Sequence, residues 1–175
     1  MNFIFLGLAI IVVFGIFQLY EKSAENPLKL GQAAPRFSLP DETGKLRSLD
    51  EFKRKKVVLY FYPKDETSGC TAQACQLRDN YDIYKQNDIV ILGVSYDSPA
   101  SHAKFKANQH LPFTLLSDSK KEVAHLYGAD KIIGNFVPQR KTFLINEQGR
   151  IVYMIENVDI ANHSQEILKA FGIKN

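Results

Sequence analysis

Along the chain, short continuous apolar runs alternate with stretches in which apolar residues recur every three to four positions. Val57–Tyr62 is an unbroken β-branched and aromatic run, the pattern of a strand buried on both faces. From Cys70 to about Asn87 the period changes. Cys70, Ala74, Leu77, Tyr81 and Tyr84 fall at steps of four, three, four and three, which puts them on one helical face. Ile89–Val94 repeats the buried-strand pattern. Ser98 followed by Pro99 reads as an N-cap with proline at the first helical position, opening a helix that runs to about Gln109. Phe113–Leu116 is a short strand. Ser119 with Glu122 has the form of a capping box, and Gly128 supplies the stop. Thr142–Ile145 and Ile151–Ile155 are strands joined by the turn Asn146–Gly149, and Asn162 with Gln165 caps a last helix that ends at Gly172. Pro35 and Pro40 limit the early segment to short strands. The order β-α-β-α-β-α-β-β-α is an α/β layer architecture, with helices on both faces of one sheet.

The N-terminus differs from the rest. Phe3–Tyr20 carries no charge, and Gln18 is its only strongly polar side chain. As a helix it would be about 27 Å long, near the roughly 30 Å of a bilayer core. No basic residue precedes the run, and Tyr20–Ala24 is a poor cleavage site, so an uncleaved anchor is preferred over a signal peptide. The expected organisation is therefore an anchor over residues 1–20, a polar linker over 21–30 and one domain over 31–175. The charge rule and the short N-terminus give opposite orientations. The outward side is slightly favoured.

Composition narrows the function. Of 175 residues, 45% are hydrophobic and 23% charged, which is globular. The net charge of +3 is small, and Lys53–Lys56 is the only compact basic run, so nucleic acid is not an expected partner. The four histidines lack metal-ligand spacing, and the two cysteines, Cys70 and Cys75, are too few for a structural zinc site. No metal or cofactor is expected.

The strand ending at Tyr62 is followed by Pro63, a polar loop, and Cys70 in the first turn of a helix. Unpaired backbone N–H groups and the positive end of the helix dipole meet there, so the thiol is expected to ionise below its free value of about 8.5. The same N–H groups can cradle an anion or a polarised oxygen. The Thr67 hydroxyl can turn toward the same spot. The site lies beyond the carboxyl ends of the strands, where open α/β sheets bind ligands.

The segment Tyr60–Thr71 contains Pro-x-x-x-Thr-x-x-Cys and resembles the peroxiredoxins of the AhpC/TSA superfamily. Its continuation Cys70–Asp79, with a second cysteine five residues after the first, is similar to the bacterioferritin comigratory protein, or peroxiredoxin Q, subfamily. Further similarity occurs at Gly31–Phe37, Tyr127–Gly128 and Arg140–Ile145. The resemblance implies a thioredoxin-like fold with a central mixed sheet, acting as a monomer. It implies a peroxidatic Cys70, a resolving Cys75, a pocket formed by Pro63, Thr67, Gly69 and Arg140, and an arginine that holds the thiolate and polarises peroxide. Ser68 and Gln73 stand where the subfamily often has proline and glutamate; neither is expected to touch the reacting groups.

The implied reaction consumes hydrogen peroxide or organic hydroperoxides. Cys70 becomes a sulfenic acid, Cys75 condenses with it, and thioredoxin or a similar dithiol reduces the disulfide. Two other readings share the fold. A membrane-tethered thiol–disulfide oxidoreductase would ordinarily carry Cys-x-x-Cys, and here Gln73 occupies the second cysteine's position. A non-enzymatic redox or chaperone module would not need every reacting group in place.

Overall fold

Val57–Phe61 carries no charged side chain and is buried on both faces, and it lies at the centre of the sheet. The computed structural model describes residues 27–130 and 136–173. In chain order its elements are β1 (Ser38–Pro40), β2 (Leu46–Ser48), a 3-10 turn (Leu49–Phe52), β3 (Lys56–Phe61), α1 (Ser68–Asp79), α2 (Tyr81–Gln86), β4 (Ile89–Ser95), α3 (Pro99–Asn108), β5 (Thr114–Ser117), α4 (Glu122–Leu126), β6 (Lys141–Ile145), β7 (Ile151–Ile155) and α5 (His163–Ala170). β1 and β2 form a small antiparallel ribbon. The main sheet runs β5-β4-β3-β6-β7. β3 is parallel to β4 and antiparallel to β6, so the sheet is mixed, as in a thioredoxin-like fold.

The strand period of two sorts β3 between two cores. Val58, Tyr60 and the following Tyr62 pack with Cys70, Ala74 and Leu77 of α1, Tyr84 of α2, Phe105 of α3 and Ile167 of α5. Val57, Leu59 and Phe61 face the other way, against Phe37, Leu39, Val123, Ala124 and Tyr127. Gly93 of β4 is required by this packing. A Cβ there would come 2.7 Å from the Tyr60 ring and 2.8 Å from Leu115.

The structure corrects four sequence-based expectations. The helix read as continuous to Asn87 is two helices, interrupted at Asn80, whose side-chain amide donates to the Gln76 carbonyl at 2.9 Å. Such local side-chain bonds compete with helix continuation. Ser119 and Glu122 do not cap α4. The Asp118 carboxylate does so instead, accepting from the amides of Val123 and Ala124 at 3.3 and 2.7 Å. Nor does Asn162 cap α5 through its side chain, which donates to Asp159 at 2.8 Å. By contrast, Ser98 accepts from the Ser101 amide at 3.3 Å and caps α3 as read.

The fourth correction concerns location. Among the described residues no helix is long and apolar enough to cross a membrane. The longest, α1, has 12 residues, whereas a span needs about 20. The apolar run Phe3–Tyr20, on which the anchor rested, lies outside the described residues, as does most of the linker. The described residues therefore give no support to a membrane-anchored location.

Candidate active site

The site begins where β3 ends. Pro63 has no N–H to continue the ladder, and the chain turns into a loop fixed from within. Asp65 is buried, and its amide donates to Asp97 at 3.0 Å. Its carboxylate accepts from the hydroxyls of Tyr62 and Ser101, each at 2.7 Å, and meets Nδ1 of His102 at 2.9 Å. Burial alone would push the Asp65 carboxyl up, but the bonds and charge from His102, with those from Tyr62 and Ser101, hold it below its usual value. Glu66 follows in the left-handed region at φ +60°. Thr67, with extended backbone, is the N-cap of α1, and its carbonyl accepts from the Thr71 amide at 2.8 Å. Cys70 is thus the third residue of the helix.

Arg140 immediately precedes β6, and the pairing of Phe61 with Lys141 brings it beside the end of β3. Its Nη2 donates to Cys70 Sγ at 3.4 Å. A Cβ on Gly69 would lie 3.4 Å from that same Nη2 and from Ile160, so glycine leaves room for the guanidinium against the helix start. Pro63 and Arg140 line an open cleft of about 610 Å³ with Pro138, Gln139 and Glu156–Asp159. Cys70 itself is only 2% exposed.

The Thr67 hydroxyl points elsewhere than the sequence suggests. The Thr67 hydroxyl donates to the Lys64 carbonyl at 3.0 Å. Its single proton is therefore not directed at the sulfur, and the hydroxyl can serve the site only as an acceptor. Cys75 is half-buried on the α3 side of α1, 3.8 Å from Gln109 Oε1, and both cysteines are free. Arg78 fixes that contact from the other side, donating to the Gln109 carbonyl at 2.8 Å.

Gln73 corrects the sequence reading more strongly. It was expected not to touch the reacting groups. It is fully buried, and its Oε1 accepts from Nη1 of Arg140. Its Nε2 lies 3.2 Å from Nδ1 of His163, whose Nε2 lies 2.9 Å from the Thr142 hydroxyl. His163 is far along the chain on α5, and no spacing signal connected it to Cys70. Burial, helped by the charge of Arg140, pushes the His163 ring down to about 4. Above these groups, burial and then the charge at Cys70 and Asp65 push the Tyr60 hydroxyl well above its ordinary value.

A buried thiol at the start of a helix, held by a guanidinium at the C-terminal edge of a mixed sheet, defines a thiol-based redox enzyme. Residues 30–154 match the AhpC/TSA family. The peroxiredoxin Bcp of Bacillus subtilis is 40% identical over 147 residues, covering 81% of this chain and 94% of the relative. The Escherichia coli peroxiredoxin Bcp is 40% identical over 148 residues, with 82% and 95% covered. Among solved structures, the peroxidoxin BcpB of Mycobacterium tuberculosis superposes with a TM-score of 0.77 at 29% identity, covering 85% of this chain and 99% of that one. The Xanthomonas campestris bacterioferritin comigratory protein gives 0.73 at 30%, covering 78% and 90%. The chain belongs to the AhpC/TSA family and is a peroxiredoxin of the Bcp/peroxiredoxin Q kind, a thiol-dependent peroxidase.

Proposed function

We propose that Cys70 is the peroxidatic nucleophile and that Cys75 resolves it. The observation that carries this reading is the 3.4 Å contact from Nη2 of Arg140, a residue that lines the open cleft, to the buried Cys70 Sγ. The thiolate attacks one peroxide oxygen. The S–O bond forms as the O–O bond breaks, and the departing oxygen leaves as water or an alcohol once protonated. Arg140, always charged and able to donate in two directions, stabilises the negative charge shared by sulfur and the peroxide oxygens. Pro63 and Gly69 shape the space, and Thr67 presents an acceptor at its edge.

Cys70 is then a sulfenic acid. The Cys75 sulfur attacks it, an S–S bond forms, and the hydroxyl leaves as water. A dithiol such as thioredoxin reduces the disulfide by exchange, and its own thiols are oxidised in turn. Hydrogen peroxide and organic hydroperoxides are both proposed substrates; alkyl peroxide reduction is described for the related Xanthomonas campestris protein.

The test is peroxide consumption with a thioredoxin system. Cys70→Ser should lose turnover entirely. Cys75→Ser should lose turnover but still consume one equivalent of peroxide. A Cys70→Ser protein as active as wild type refutes the assignment.

A further inference from the structure

Every hydrogen-bond role around Arg140 follows from one fact: a guanidinium can only donate. Arg140 Nη1 therefore requires Oε1 of Gln73 as acceptor. The other end of that carboxamide, Nε2, can then only donate. Its partner 3.2 Å away, Nδ1 of His163, must accept and carries no proton. The single ring proton sits on Nε2 and is donated to the Thr142 hydroxyl at 2.9 Å. Gln73, Thr142 and His163 are all fully buried, so water cannot substitute for a missing partner. His163 also stands at the first position of α5, where the helix dipole disfavours a positive ring.

We propose that His163 is a positioning residue for peroxide reduction: by accepting from Gln73 and donating to Thr142, it fixes the carboxamide that aims Arg140 at Cys70. The inference rests on the assignment of Cys70 and Arg140 above. A carboxamide at position 73 has a donor end that must be satisfied, and His163 satisfies it. A carboxylate there would have no donor end, and either oxygen could accept from Arg140. The need for His163 is thus a consequence of the glutamine, and this sets it apart from an ordinary core histidine.

That distinction gives the experiment. The second-order rate constant with hydrogen peroxide, the pH profile of Cys70 alkylation and the thermal midpoint are measured for wild type, His163→Leu, Gln73→Glu and Gln73→Glu/His163→Leu, with Arg140→Met alongside. His163→Leu should slow peroxide reduction roughly tenfold or more, because a misaimed reacting group is costly. It should also move the alkylation profile toward that of Arg140→Met. In the Gln73→Glu background the same His163 change should alter the rate by less than about threefold. His163→Asn, whose carboxamide oxygen can stand near the Nδ1 position, should recover most of the wild-type rate. Equal losses from His163→Leu in both backgrounds overturn the proposal, as does no loss in either while Arg140→Met is slow. An Arg140→Met protein as fast as wild type refutes the site assignment itself. Should His163→Leu not fold, Thr142→Val, which removes the acceptor for the ring proton, is taken through the same pair of backgrounds with the same criteria.

Discussion

The spacing of the two cysteines has a mechanical consequence that can be worked out from α1. Cys70 and Cys75 lie within one continuous helix, Ser68–Asp79. Five residues of α-helix rise about 7.5 Å and turn about 140°, which with Cα atoms about 2.3 Å from the axis separates the two Cα atoms by about 8.7 Å. A disulfide tolerates less than about 7 Å. The pair must close by roughly 2 Å, more than an intact helix allows. Oxidation is therefore expected to unwind the first turns of α1. Cys70, Gln73 and Ala74 would leave the core, and Gln73 would release Arg140. Treating the reduced protein with one equivalent of peroxide and following amide exchange by mass spectrometry reads this directly. Amides between Cys70 and Arg78 should exchange at least about tenfold faster in the disulfide form, and those of β3 and β4 should not change. Oxidised Cys75→Ser, which stops at the sulfenic acid, should keep its protection. Equal protection of residues 70–78 in the reduced and disulfide forms would falsify the reasoning.

Arg140→Lys keeps the charge but loses the two-way fork, and should slow peroxide reduction by about a hundredfold with little change in thermal midpoint. His163 gives an acid-stability prediction, its surroundings being the Arg140 charge, Gln73, Thr142 and the Tyr60 ring. Its folded value of about 4 lies below the ordinary 6.5, so its contribution is complete above pH 6.5 and is lost as pH falls toward 4. The loss is about 3 kcal/mol and should be visible in denaturant melts of wild type against His163→Leu; parallel pH dependences would contradict it. Gly93→Ala should cost about 1–3 kcal/mol, because its Cβ would press on Tyr60 and Leu115, and a thermal midpoint equal to wild type would count against that packing argument.

The sheet and the placement of Cys70 at a helix start were legible from the chain because they follow from local patterns. Val57–Tyr62 announces a central strand by its unbroken run of β-branched, aliphatic and aromatic side chains. Pro63, the loop and the shift to helical period place Cys70 at a helix start before any fold is known. The misread features depend on competition between partners. Asn80 interrupts the helical pattern by bonding back to Gln76, although Tyr81 and Tyr84 keep its period. Asp118 displaces Ser119 as the cap because its carboxylate reaches two amides at once. Gln73 was visible as a departure from glutamate, but its contact with Arg140 needs β6 folded beside β3. His163 had no local signal at all, because its significance comes from the packing of α5 against α1.

The interruption at Asn80 sets a limit on how far the redox event can spread. Upstream of Cys70, the Asp65 cluster fastens the loop to α3. Downstream, α2 is separately secured, with the Tyr84 hydroxyl 2.7 Å from Ser164 Oγ on α5. A single uninterrupted helix would transmit unwinding cooperatively into the residues that close this core. With the break in place, the unwinding expected of α1 on disulfide formation would work like a fuse, opened and reset while the circuit around it, the sheet and its two cores, stays intact.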